Sequence, residues 1–422
     1  MTPDLIPPSA EGLTLADAPA PAHVPRERVI DLRFATGEVP NDLPDPYVEA
    51  DKLRAPGVPR ILFNPLASGG RKSGAWTVSH YEDIRRVYED NSLFSTEGAA
   101  QFQTLAGETF PSIPLGIDPP GHGLYRRFLN PHFSPVAMKA REPMIRAVVV
   151  EMIGAIAANG EVDIAYDFGR VYPVRIFLDL MGLPFAMFEQ FIEWENEILH
   201  SGRDVARVRI AVVRVLAYLR RFIAEKEAAP DDRLTSTIVN GRIDGRALTP
   251  DEKIGIIWFL WLGGLDTVAS TISQMFRRLA MDQGLQQRLR DNPAIIPSAV
   301  EEFLRTQPLV NSTRVIRQDF TWHGVDLKRG DTIQCLNTSG NFDPKQFGCP
   351  RQFDPERPAN RHFTFVGGVH ICLGAHLARR ELRLLLEEWF VRIPPFRVKQ
   401  GADTTVSPGL LSIRNLPIVW SV

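Results

Sequence analysis

The chain is predicted to be mainly α with a minor β portion, on three observations. After Tyr81, apolar residues recur at three- and four-residue spacing along most of the sequence. Strand-like runs are confined to a region before Tyr81 and to the stretch from Val315 onward. The length of 422 residues alone would suggest two or three domains, yet no composition shift marks an internal boundary.

Taken in order, residues 1–45 are rich in Pro, Ala and acidic residues. They read as a loosely held, flexible tail that joins the fold near Asp45-Pro46-Tyr47, with residues 46–422 as a single domain. RILFN and AWTVS are short strands with glycines between them. HYEDIRRVYEDN, VAMKAREPMIRAVVVEMIGAIAANG and RVRIAVVRVLAYLRRFIAEKEAA carry helical spacing, and strands return in VIRQDFTWHGVDLKRGDTIQCL and from FRVKQ onward. One helix has a full start signal: Thr249 as cap, Pro250 at the first helical position, and Glu252 three residues after the cap. Its pattern runs to Met281, where Asp282-Gln283-Gly284 ends it, a span of roughly 48 Å at about 1.5 Å per residue. The first half is apolar on all sides and is expected to run through the core.

Composition excludes several classes. With 48 basic and 50 acidic residues the net charge is -2, which argues against nucleic-acid binding. Three cysteines, Cys335, Cys349 and Cys372, are too few for a disulfide framework and match no zinc spacing. A reduced, cytoplasmic setting is expected. The N-terminus has no basic region followed by an apolar stretch, so no signal peptide is expected. No apolar run reaches about 18 residues, so no membrane span is expected; the longest, Ile254 to Leu265, suits a buried helix.

Three motifs carry chemistry. In HFTFVGGVHICLGAHLARRELRLLLEEW, residues 362–389, a lone cysteine follows a Gly-rich loop and precedes an amphipathic helix. The helix N-terminus favours a thiolate at Cys372. Gly367, Gly368 and Gly374 remove side chains near the sulfur, and Phe365 supplies an apolar wall. Taken alone, Cys372 reads more readily as an ordinary buried cysteine. Glu302 and Arg305, in SAVEEFLRTQPLV, are three apart and share a helix face; alone they read as a surface ion pair. Gly263-Gly264-Leu265-Asp266-Thr267 puts an acid and an alcohol straight after an apolar run. That suits a pocket that admits dioxygen and delivers protons. The bland alternative is a close helix contact at the glycines, with Thr267 bonded back to its own helix.

Together, in this order, the three motifs resemble the cytochrome P-450 superfamily, over roughly residues 45–422. The haem-loop pattern Phe-x-x-Gly-x-x-x-Cys-x-Gly falls on Phe365, Gly368, Cys372 and Gly374, and Glu-x-x-Arg on Glu302 and Arg305. FDPERP, 353–358, matches the segment before the loop, with Arg357 joining Glu302 and Arg305. The resemblance implies a long central helix over a buried haem b. Cys372 would be the axial iron ligand, Gly264 would lie against the cofactor, and Asp266 and Thr267 would route protons to dioxygen. IDPPGHGLYRRFLNPHFSP, 117–135, is similar to the family's early helix over the haem. It implies that His122, Arg126, Arg314 and His370 hold the propionates. One departure is Val366, where many members have glycine after the motif phenylalanine; Gly367 is expected to compensate.

WLGGLDTVAS, RLRDNPAIIPSAVEEFLR, ICLGAHLARREL and LPIVW look like the bacterial camphor-hydroxylase group. That implies electrons from a [2Fe–2S] ferredoxin with an NADH-dependent reductase. Arg126, Arg127, Arg379 and Arg380 are the expected docking patch for it. Phe110 stands where camphor binders place a tyrosine. A pocket of Phe102, Phe110, Leu115, Phe259, Leu262, Val310, Leu410 and Leu411 would be almost wholly apolar. The implied substrate is a small apolar molecule, a terpenoid or norisoprenoid, ionone-like or camphor-like, hydroxylated at a C–H bond. A peroxide-driven peroxygenase and a non-catalytic haem sensor are the alternatives.

Overall fold

The computed structural model describes residues 20–30, 32, 46–65, 67, 74–98, 101–201, 204–358, 360–404, 406–407 and 411–422. Helices dominate, and among the described residues the strands form one five-stranded sheet and four small ones, as the sequence pattern predicts. The described part of the expected tail is not loose. Val24 is buried, His23 Nε2 lies 2.7 Å from Asp331 Oδ2, and the Ile30 N–H donates to the Phe63 carbonyl at 2.9 Å. Residues 20–30 therefore belong to the fold, because this segment covers an otherwise open sheet edge.

The five-stranded sheet runs Ile61–Asn64, Ala75–Val78, Thr332–Cys335, Ser312–Ile316, Phe94–Ser95. Only the pairing of Thr332–Cys335 with Ala75–Val78 is parallel. Its aromatic and β-branched residues, with Trp76, Ile333 and Ile316, form a second core beside the main helical one. The predicted helix at 136–160 is two, Pro135–Ala140 and Glu142–Ile156. Pro143 explains the break, since its ring clashes with the carbonyl four residues earlier.

The long central helix is corrected in the same way. Thr249 caps it with the expected reciprocal bonds to Glu252, but regular helix stops at Gly264 and restarts at Thr267, ending at Met281. Leu265 and Asp266 keep right-handed angles, so the two helices form a bent rod. The cause is local: two adjacent glycines weaken the helix, and side chains take over the bonding. The Thr267 hydroxyl donates to the Gly263 carbonyl (3.4 Å) and the Ser270 hydroxyl to Asp266 Oδ1 (3.0 Å). Among the described residues Pro250–Met281 is the one stretch long and apolar enough to cross a membrane, and 67% of its most apolar part is buried inside the protein. Its apolarity is that of a core element, packed on the helices Val171–Met181, Val205–Ala228 and Ala375–Arg392.

Candidate functional site

Cys372 lies three residues before the helix Ala375–Arg392. Its N–H donates to the Phe365 carbonyl at 3.0 Å, which closes the loop. Burial pushes the thiol pKa up, opposed by the Gly374 and Ala375 backbone N–H groups and by the charges of Arg126 and Arg379. The residue is nonetheless exposed. This is the environment a soft cationic metal would complete, since a thiolate needs a positive partner there.

The loop is shaped by two left-handed residues. Val366 has φ +54° and Gly368 φ +66°. For a β-branched residue this costs on the order of 1–2 kcal/mol. Val366 is held there by its N–H bond to the Phe363 carbonyl (2.8 Å) and by packing on the second core. Gly367 does not compensate as expected: its backbone is extended (φ −141°, ψ 179°), a conformation open to any residue. Gly368 has no alternative, because a Cβ there would lie 2.1 Å from the Tyr88 carbonyl oxygen. Gly368→Ala is therefore expected to shift the loop off the helix Tyr81–Glu89. Haem retention on a size-exclusion column should fall, whereas Gly401→Ala, also at positive φ but with open space around it, should leave it unchanged.

Above the loop, three buried nitrogens have no partner: His122 Nε2, His370 Nδ1 and Arg314 Nη2. They come from three elements. His122 is in the helix Gly121–Leu129 and His370 in the cysteine loop, with ring centroids 4.2 Å apart. Arg314 is on the strand Ser312–Ile316, at an inward position where pattern alone would call for an apolar residue. It stacks 5.0 Å over Tyr88 and donates to the Thr313 carbonyl. Burial, then Arg126, lowers the pKa of His122 to about 4. Burial, then His122 and Arg314, lowers that of His370 to about 3. Both rings are thus neutral at pH 7 and keep an N–H to donate. Arg126 Nη1 bonds the Ile371 carbonyl at 2.8 Å, which brings it to the cysteine loop. Buried unpartnered donors are costly, and a group bearing two carboxylates would satisfy these. The residues therefore fit haem b: Cys372 would ligate the iron and the unpartnered donors would hold the carboxylates.

On the central helix, Phe259, Gly263 and Thr267 are spaced four apart and form one stripe. All three are at least partly exposed, while most of their helical neighbours are buried. A Cβ on Gly263 would meet nothing within 4 Å. Gly264, the expected cofactor contact, is corrected: its Cβ would lie 2.3 Å from the Phe177 ring, so this glycine serves helix packing. The predicted pocket also divides. Phe102, Leu115 and Phe259 are partly exposed, Val310 is 37% exposed, and Leu262 is buried at its edge. Phe110 and Leu411 are 3% and 1% exposed and belong to the main core. The Leu411 carbonyl is also tied to Gln274. Leu410 lies outside the described residues.

Glu302, Arg305 and Arg357 form one network, and it is interior. Glu302 and Arg305 are both 0% exposed, bonded bidentately at 2.7 Å. Arg357 Nε reaches both Glu302 oxygens at 3.1 and 3.2 Å. The expected four-arginine docking patch is thinner than expected. Arg379 pairs with Glu301 and Arg380 with Glu142, which offsets half of its charge.

Sequence reasoning missed Asn360, which donates to Glu302 at 2.9 Å, and Asp118, which gathers Ser95, Thr96 and Arg317 beside His370. It also missed His200 and Glu195, which lie against Asp266. Their sequence separation of about 70 residues leaves no local signal, although an acid on the apolar face of the helix Phe188–Leu199 was visible.

A family model for cytochrome P-450 matches residues 201–404. The chain is 35% identical over 407 residues to a probable cytochrome P-450 127A1 of Sinorhizobium fredii, covering 96% of this chain and 97% of that protein. It is 32% identical over 359 residues to the cyclomarin C epoxidase CymV of Salinispora arenicola, covering 82% and 90%. The crystal structure of CYP101J2 superposes with a TM-score of 0.82 at 29% identity, covering 96% of this chain and 100% of that one. Full-length likeness in sequence and fold, joined to a cysteine loop and donor set that fit haem b, means that the chain belongs to the cytochrome P-450 family of haem-binding monooxygenases.

Proposed function

We propose that residues 46–422 form one haem-thiolate unit that hydroxylates a C–H bond of a small apolar terpenoid or norisoprenoid. It would take electrons from a [2Fe–2S] ferredoxin reduced by an NADH-dependent reductase, in the cytoplasm. The observation that carries the haem-thiolate reading is the pairing of an exposed Cys372 sulfur with three buried, unpartnered nitrogens on His122, His370 and Arg314. Haem b, when bound, supplies the oxygen-insertion chemistry. The chain's own residues do the rest. Cys372 ligates the iron, and His122, Arg126, Arg314 and His370 hold the carboxylates by charge-assisted bonds. Phe102, Leu115, Phe259 and Val310 receive the substrate by shape and burial, with no side-chain donor among them.

Asp266 and Thr267 manage protons. The 3.4 Å bond of the Thr267 hydroxyl to Gly263 is long enough to exchange for another acceptor. Its position on the stripe with Phe259 and Gly263 favours dioxygen activation over a peroxide-driven reaction. The test is a terpenoid panel screened for the substrate-induced spin shift of the haem spectrum. Hits are then turned over with ferredoxin, reductase and NADH, or with peroxide alone. Product from NADH supports the proposal. Product from peroxide alone, or binding without turnover, overturns it. In the same assay Thr267→Ala is expected to consume NADH at a near wild-type rate while product falls about tenfold or more, since a positioned proton donor is worth roughly 100-fold or more.

A further inference from the structure

Asp266 is approached from outside by two further titratable groups. His200, the residue that closes the helix Phe188–Leu199, puts Nε2 2.9 Å from Asp266 Oδ2. Glu195, on the same helix, accepts a hydrogen bond from the Asp266 backbone N–H. It is 3% exposed, and its Oε1 has no partner. Its neighbours on the buried face are Phe191, Ile192, Trp194 and Ile198, so an apolar side chain would pack there at lower cost. A half-satisfied carboxylate in such a place is expensive, and the neutral acid is the affordable form. Burial, and then the charge of Asp266, push the Glu195 carboxyl far above the usual range.

Asp266 and His200 also line a cleft of about 580 Å³. Its walls are the end of the helix Phe188–Leu199, the turn Ile164–Gly169 and residues 413–415. The charged groups facing it are Arg170, Arg207, Arg414, Glu193 and Glu197. Arg207 is bonded to Glu197 and Arg170 lies 3.6 Å from Glu189. The side-chain partners of Asp266 are His200 and Ser270.

We propose that this cleft is the proton inlet of the oxygen-activating site, and that His200 and Glu195 reload Asp266 from its two sides. The inference rests on the reading of Asp266 and Thr267 as the proton-delivering pair. In each reloading step Asp266 has lost its carboxyl proton towards Thr267 and is a carboxylate. The His200 imidazolium gives its Nε2 proton to Asp266 Oδ2 and, now neutral, takes another from solvent in the cleft. Alternatively, the Glu195 carboxyl gives its O–H proton to Asp266, and the next proton that His200 brings in from the cleft passes through Asp266 to refill Glu195. Monooxygenation releases one oxygen atom as water and so takes up two protons per turnover. Two stores beside one acid match that demand.

The test compares Glu195→Gln, His200→Gln and Asp266→Asn as holoenzymes. The infrared spectrum of the wild type at neutral pH should contain a protonated-carboxyl stretch that Glu195→Gln removes, with the carbon-monoxide difference band unchanged. Turnover in Glu195→Gln and His200→Gln should fall about tenfold or more, with a larger solvent deuterium isotope effect, and Glu195→Asp should restore much of it. The inlet is overturned if Glu195→Gln removes no carboxyl stretch. It is also overturned if both variants keep wild-type turnover and isotope effect while Asp266→Asn is slow. If Asp266→Asn is itself as fast as wild type, the underlying reading of Asp266 fails.

Discussion

Cys372→Ser is expected to abolish monooxygenation and the carbon-monoxide difference band that marks thiolate-bound haem. Outer-sphere partners of a metal site cost roughly 10- to 100-fold when removed, and loss of the sulfur proposed to hold the iron should exceed that range. The substitution is nearly isosteric, and the loop is closed by the Cys372 backbone N–H bond to Phe365 rather than by the side chain. The variant should therefore fold and retain the left-handed turns at Val366 and Gly368. The three unpartnered nitrogens on His122, His370 and Arg314 remain, so some haem should still bind, with a spectrum lacking thiolate character. A thiolate-type band in purified Cys372→Ser would place the ligand elsewhere, and of the other cysteines Cys335 is wholly buried in the sheet.

Glu302→Ala is expected to destabilise the protein by about 3–5 kcal/mol, the cost of leaving a buried charge without its partner. Both Arg305 and Arg357 lose their anion, as do the Asn360 amide and the Asp354 N–H. Arg305 remains fixed by the Asn341 carbonyl and by the rings of Phe342 and Phe347, so it cannot turn out to solvent. The urea midpoint of the holoprotein reports the loss. The double variant Glu302→Leu with Arg305→Met should recover only the part due to Arg305, since Arg357, Asn360 and the Asp354 N–H still lack their acceptor. A change below about 1 kcal/mol in the single variant would mean the pair behaves as a surface ion pair.

The motifs were legible because each is local. The capped start at Thr249, the Gly-rich loop before Cys372 and the three-residue spacing of Glu302 and Arg305 are short-range patterns with a physical reason. The helical rod over the site was legible as an apolar run, but its bend was not. At the bend Thr267 bonds back to the Gly263 carbonyl, Ser270 bonds the Asp266 side chain, and His200, from the end of another helix, bonds the same carboxylate. Likewise, the sequence could propose both glycines as room for a ligand. Only packing assigns Gly264 to Phe177 and leaves Gly263 facing open space.

The amino-acid order alone therefore determined the helix-rich class and the cysteine loop, and it singled out the residues proposed to hold a thiolate-bound haem. Those follow from periodicity and from chemistry between near neighbours. Tertiary structure decided which of them face the site. It moved Phe110 and Leu411 into the core, made Glu302 and Arg305 an interior pair, and tied residues 20–30 to the sheet. It also brought Glu195 and His200 against Asp266 from about 70 positions away. Burial and pairing at long sequence separation depend on how whole elements pack, and no local pattern encodes that.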